Sequence, residues 1–180
     1  MKSLNSFHDD LKTVKNWVYD QCNFDFKNPR LNAESVEYAA SSFELDGKKI
    51  EHRVSKITPT KNGQFVTIWK RNQDGITEPF DINDEINFII ITARSGDKLG
   101  QFIFPKRVLA DKGIITQNGK SGKRGIRVYP PWNIPQNKQA VKTQTWQINY
   151  FLTIKTDGLT DIDLAKNLLA INQIKESRTL

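Results

Sequence analysis

Cysteine, methionine and histidine are nearly missing from this chain: one Cys, one Met and two His among 180 residues. A single thiol cannot form an intrachain disulfide, and Cys22 with His8 and His52 gives none of the close-spaced pairs a zinc site needs. Cys22 closes an apolar stripe and reads as a small core residue rather than a nucleophile. Neither histidine stands in a nucleophile context. His8 falls on a surface helix and His52 in a strand between Glu51 and Arg53, so serine-type hydrolysis lacks an oriented base. Long apolar runs are missing too. No stretch approaches the roughly 18 residues of a membrane span, and MKSLNSFHDD lacks the apolar core of a signal peptide. A cytoplasmic protein with no membrane partner is expected. With no internal repeat and no linker composition, residues 1–180 read as one domain.

Acidic residues are scarce where basic ones crowd. The formal charge is +7, but residues 52–71 hold 5 Lys/Arg and no acid, and residues 98–155 hold 11 against 1. The acids collect elsewhere, with 6 against a single arginine in residues 72–97. A surface charged only for solubility mixes its signs, so this segregation points to a polyanion, nucleic acid before acidic protein or membrane. The densest stretch, GKSGKRGIRVYPPW at residues 119–132, combines Lys120, Lys123, Arg124 and Arg127 with Tyr129 and Trp132. The two basic segments are expected to converge into one concave patch, where cations focus an anionic ligand best.

Apolar periodicity gives the elements. Leu4, Phe7, Leu11, Val14, Trp17 and Val18 recur at helical spacing and predict a first helix reaching toward Cys22. FKNPRLN reads as turns and NAESVEYAA as a short helical piece. Two extended runs flank Asp46-Gly47, a hairpin pair. GQFVTIWK, INFIIITA and GQFIF read as strands, the second apolar enough to be the central one. Pro105 opens a short helix, PKRVLADKG. GIRVY is extended, NKQAVKTQTWQINYF helical, and a last helix starts at Thr160. The fold class is α/β in the α+β sense: a mixed sheet of about four to six strands with flanking helices.

Chemistry is harder to place. GIITQNGKS has one residue too many for a phosphate-binding P-loop, and no helix follows it. What remains is a flexible glycine loop offering backbone N–H groups and cations to phosphates. Trp69 beside Lys70 and Arg71, Trp132 after Arg127 and Trp146 after Lys142 repeat an aromatic-cation interleaving that suits bases and phosphates. Trp69 and Trp146 also suit the core, and Trp132 fits either role. A metal-dependent nuclease needs carboxylates with a lysine on a sheet. The acid-x-lysine triples at Asp10, Asp25 and Asp46 all fall outside strands, which leaves Asp84, Asp97, Glu34 and Glu37 as acids and Lys56 or Lys70 as the cation.

The segments SKITPTKNGQFVTIWKR, GQFIFPKRVL, GKRGIRVYPPW and NKQAVKTQTWQINYF, in that order, resemble the MepB family over roughly residues 24–155. The resemblance implies a single cytoplasmic bacterial domain and assigns it no reaction. A leading helix, a hairpin, acids before a central strand and later basic helices are similar, in architecture, to type II restriction endonucleases of the PD-(D/E)XK group. That pattern would put a carboxylate and a lysine where this chain has Gln101 and Ile103, downstream of Asp84.

The expected function is nonspecific binding of nucleic acid, duplex DNA in particular, through phosphate contacts. Lys56, Lys61, Lys70, Arg71, Lys106, Lys120, Lys123, Arg124, Arg127, Tyr129, Trp132, Lys138 and Lys142 are the candidate contacts. No cofactor is expected, Mg2+ entering only if the chain is a nuclease. Binding of a small anion or nucleotide is the other alternative.

Overall fold

The computed structural model describes residues 4–176, with the side chains of residues 5–170. In chain order the elements are α1 (Asp9–Val14), β1 (Phe26–Leu31), β2 (Ser41–Leu45), β3 (Lys48–Val54), β4 (Lys56–Ile57), β5 (Gln64–Thr67), β6 (Trp69–Arg71) and β7 (Thr77–Pro79). Then follow β8 (Phe88–Ser95), β9 (Lys98–Pro105), α2 (Lys106–Asp111), β10 (Gly125–Val128), α3 (Lys138–Gln147), β11 (Phe151–Ile154) and α4 (Ile162–Glu176).

A six-stranded mixed sheet in the order β1-β2-β3-β8-β9-β11 forms the centre. All its neighbours run antiparallel except β3 and β8. INFIIITA is central, as its composition predicts. Alternation along β8 sends Phe88 and Ile90 into one apolar cluster and Ile89, Ile91 and Ala93 into another. Covering the first face are α1 and α4, through Leu11, Val14, Ala165, Leu168 and Leu169. The second face carries α2, residues of α3 and a small antiparallel sheet, β10-β5-β4.

The Asp46-Gly47 hairpin forms as read, with both residues at positive φ (49° and 76°). Several local readings are corrected. FKNPRLN is an edge strand, not turns: Asn28 at φ 52° marks a bulge between Lys27 and Arg30. NAESVEYAA yields only a 3-10 turn, Val36–Tyr38. The first helix leaves α geometry after Val14 and widens into a π turn, Lys15–Tyr19. GQFVTIWK divides at Ile68 between β5 and β6, which belong to different sheets. Pro105 ends β9 as the extended N-cap of α2 instead of opening the helix. The helix in NKQAVKTQTWQINYF stops at Gln147, passes through a 3-10 turn and gives Phe151 to β11. The cap of α4 is Asp161, whose Oδ1 accepts the Leu164 N–H at 2.9 Å, while Thr160 closes a turn onto Lys155.

Candidate functional site

On the outer face of the small sheet, between β5, β10 and α3, lies a cleft of about 820 Å³. Strand alternation builds it. Gln64 and Val66 are buried, so Phe65 faces outward, and its register partners on either side are Arg127 of β10 and Lys56 of β4. Helical spacing aligns Gln139, Lys142, Thr143 and Trp146 on the α3 face that lines the cleft.

Three aromatic side chains are among its lining, Phe65, Tyr129 and Trp146. Phe65 and Tyr129 can lie across the backbone because glycine stands beneath each ring. A Cβ on Gly125 would come within 2.7 Å of Phe65 Cζ, and one on Gly63 within 2.7 Å of the Tyr129 ring. Trp146 is half-buried, its ring centroid 5.3 Å from that of Phe104 and 5.5 Å from the Lys112 ammonium.

A buried glutamine fixes the wall. β10 is an edge strand, and Gln147 pairs with it as another strand would, accepting the Tyr129 N–H at 2.8 Å and donating to the Arg127 carbonyl at 3.0 Å. The Arg127 guanidinium donates to Thr58 Oγ1 at 2.7 Å and to the Asn62 carbonyl at 3.0 Å, which aims it without neutralising it.

Five cations line this cleft, Lys61, Lys112, Lys123, Arg127 and Lys142, against one carboxylate, Asp111. Among the described residues none of the five pairs with an acid. The other basic candidates behave differently. Lys56 pairs with Glu37 at 3.6 Å, Lys70 with Asp84 at 2.5 Å and Glu78 at 3.4 Å, and Arg71 with Glu34. Lys106 donates to the Asp84 carbonyl at 2.8 Å and Arg124 to the Thr77 carbonyl at 2.9 Å. Lys70 and Arg124 share a second cavity of about 500 Å³ with Asp81 and Asp84. Lys120 and Lys138 are exposed outside the cleft. Trp132 packs edge-on against Phe151, 5.6 Å between centroids, and its buried indole N–H has no partner among the described residues.

The structure thus brings Lys61 from the first basic segment together with Lys123, Arg127, Tyr129 and Lys142 from the second. The rest of the expected patch is dispersed. Nor is the glycine stretch a free loop: the amides of Lys120, Gly122 and Lys123 are spent on Gln117 O, Thr116 Oγ1 and Ile114 O at 3.0, 3.0 and 2.8 Å. Lys112, Phe65 and the Gln147 clamp were not among the sequence candidates. Lys112 could have been found as one of the 11 cations of residues 98–155.

The nuclease candidates meet only as acid–lysine pairs, Asp84 with Lys70 and Glu37 with Lys56, and among the described residues no three His, Cys, Asp or Glu gather where they could hold a metal ion. Both Asp84 oxygens are engaged, Oδ1 by Lys70 and Oδ2 by the Asp81 N–H at 2.7 Å. Gln101 is wholly buried, accepting from Tyr19 Oη at 2.8 Å and donating to Thr92 Oγ1 at 3.0 Å. Glu34 and Glu37 are held by Arg71 and Lys56, and Asp97 sits in the β8–β9 turn. Among the described residues no helix is long and apolar enough to cross a membrane.

Fold and site together define a mixed α+β fold with a cleft lined by cations and aromatic side chains. The chain belongs to the MepB-like family, whose profile matches residues 32–153. It is similar to the crystal structure of MepB at 30% identity and a TM-score of 0.70, over 82% of this chain and 97% of that one. A bacterial homing endonuclease is similar at 11% identity and a TM-score of 0.43, over 78% of this chain and 87% of its own. No curated protein matches the sequence.

Proposed function

We propose that this chain binds nucleic acid, holding its phosphates with the cations of the cleft. One observation carries the reading: five cations from separate stretches turn onto one cleft without a carboxylate partner, while Lys56, Lys70 and Arg71 are each matched by an acid. Gathering unpaired like charges opposes folding, and a polyanion relieves that repulsion. Because the amides of residues 120, 122 and 123 are consumed within the fold, side chains make the phosphate contacts, which position a strand without reading its sequence.

Anisotropy of a labelled oligonucleotide across a salt series tests this. Each neutralised phosphate contributes about −0.7 to the slope of log affinity against log salt for single strands and about −0.9 for duplex. Five contacts therefore give a slope of about −3.5 to −4.5. Lys123→Ala with Lys142→Ala should flatten it by about 1.4 to 1.8 without lowering the thermal melt, since among the described residues neither ammonium is in an ion pair and their removal eases the repulsion. Binding that ignores salt, or a slope unmoved in the double variant, would sink the proposal.

A further inference from the structure

We infer that a second pocket, apart from the cleft, holds a small organic acid by its carboxylate group. Its centre is Arg53. Alternation along β3 turns Ile50 to the face covered by α1 and α4, and Glu51 and Arg53 to the other, where their register partners on β8, Ile89 and Ile91, are apolar. A guanidinium is costly to bury on such a face, and Arg53 is only 2% exposed. Yet it joins no two elements. Nη1 donates to Glu51 Oε2 at 3.1 Å and to the His52 carbonyl at 2.8 Å, both on its own strand. Nε has no partner among the described residues. A pair two residues apart on one strand ties nothing together, and hydrophobic side chains would pack there at less cost, so the unmet donor points to a ligand.

Size and charge select the occupant. Arg53 lines a pocket of about 470 Å³, within the range of small-ligand sites, which shares no lining residue with the cleft. The other cations of its lining are already matched: Arg71 is held by Glu34, and Lys70 by Asp84 at 2.5 Å. Glu51, largely buried beside the guanidinium, repels any further negative charge. A polyanion or a phosphate dianion is therefore ill-suited, whereas one carboxylate accepts the Nε–H in a single charge-assisted hydrogen bond. Ser35 Oγ accepts from Thr67 Oγ1 at 3.3 Å and keeps its own proton to donate into the pocket. Trp69 and Phe80 give the lining an apolar part, which suits the body of an organic acid and is wasted on an inorganic anion.

The experiment follows the Arg53 Nε–H resonance and the Trp69 indole N–H by proton–nitrogen correlation NMR while benzoate, acetate, inorganic phosphate or a short oligonucleotide is added. Benzoate should shift both signals to saturation at millimolar concentration. Acetate, with no body to lie on Trp69 and Phe80, should do so more weakly, and phosphate and the oligonucleotide should leave Arg53 Nε where it is. Arg53→Lys keeps the charge but removes Nε. Read at the Trp69 indole, it should weaken benzoate binding about 10- to 150-fold, the effect of losing a hydrogen bond to a charged group worth about 1.5–3 kcal/mol. Ala33 is exposed on the pocket lining, so Ala33→Trp should obstruct entry and abolish the benzoate shift while the Arg53 signal and the thermal melt stay in place. That variant carries the test if Arg53→Lys fails to fold. No saturable shift with either carboxylate overturns the inference. Phosphate acting as strongly as benzoate overturns it in favour of a general anion site, and an oligonucleotide that moves Arg53 Nε overturns it by making the pocket part of the nucleic-acid surface.

Discussion

His52 is wholly buried, yet both ring nitrogens are engaged, Nε2 with Thr92 Oγ1 at 2.8 Å and Nδ1 with Ser41 Oγ at 3.3 Å. Thr92 passes the network on to Gln101 and Tyr19, so five side chains share one buried polar chain across the sheet. Burial, reinforced by the neighbouring Arg53 charge, drives the His52 pKa down from 6.5 to about 3. The folded state thus refuses a proton that the unfolded chain accepts between those values. Stability is full above about pH 6.5 and falls as pH drops through the window toward 3. Glu51 acts in the opposite sense: burial, against the pull of Arg53, raises its pKa, so its contribution weakens as pH rises. The two are separated by His52→Gln, which keeps a donor and an acceptor. Urea titration of wild type should show a loss of about 2 kcal/mol between pH 7.5 and 5 that the variant largely lacks. An equal loss in both would remove His52 as the source.

At the scale of elements, the site depends on α3 completing a sheet that is not its own. Gln147 gives β10 the edge partner that no strand supplies, and both backbone groups it serves belong to cleft residues. Gln147→Leu leaves the Tyr129 N–H and the Arg127 carbonyl unmatched, at a cost of about 1–3 kcal/mol for such groups. Hydrogen exchange at Tyr129 should accelerate, and oligonucleotide affinity should fall although Gln147 carries no charge. Unchanged protection of that amide would show the clamp is not holding the strand. Such a contact is invisible in sequence, where Gln147 is one more polar residue on a helix. The local signals were legible: the central strand and the Asp46-Gly47 hairpin are set by local composition. FKNPRLN was not, because the Asn and Pro that signal a turn also suit a bulged edge strand. GQFVTIWK was not, because a strand that changes sheets at Ile68 keeps its alternation. The basic residues could be named, but not sorted into free and paired. Glu34, Glu37 and Asp84 reach Arg71, Lys56 and Lys70 only through folding.

Over the whole molecule, the two faces of the central sheet are put to different uses. One is sealed by α1 and α4 over a cluster that includes Phe88, Ile90 and Leu152. The other supports the small sheet and α3, and so carries the cleft. The charge segregation along the sequence becomes a segregation in space only after pairing is counted: the acids of residues 72–97 cancel Lys70, and those of residues 34–37 cancel Arg71 and Lys56. What is left uncancelled at the cleft is the set that can release counterions from a bound strand. Total charge and local charge then predict different results. If +7 acts as a diffuse field, any lost cation should weaken binding alike. If contacts act, Lys56→Ala and Arg71→Ala should leave the salt slope where it was, since each removes a cation already matched by an acid. Lys61→Ala, which changes net charge by the same amount, should flatten the slope by about 0.7 to 0.9. Salt titrations of the three single variants beside wild type decide this. Equal losses in all three would mean the whole surface, rather than the cleft, attracts the polyanion.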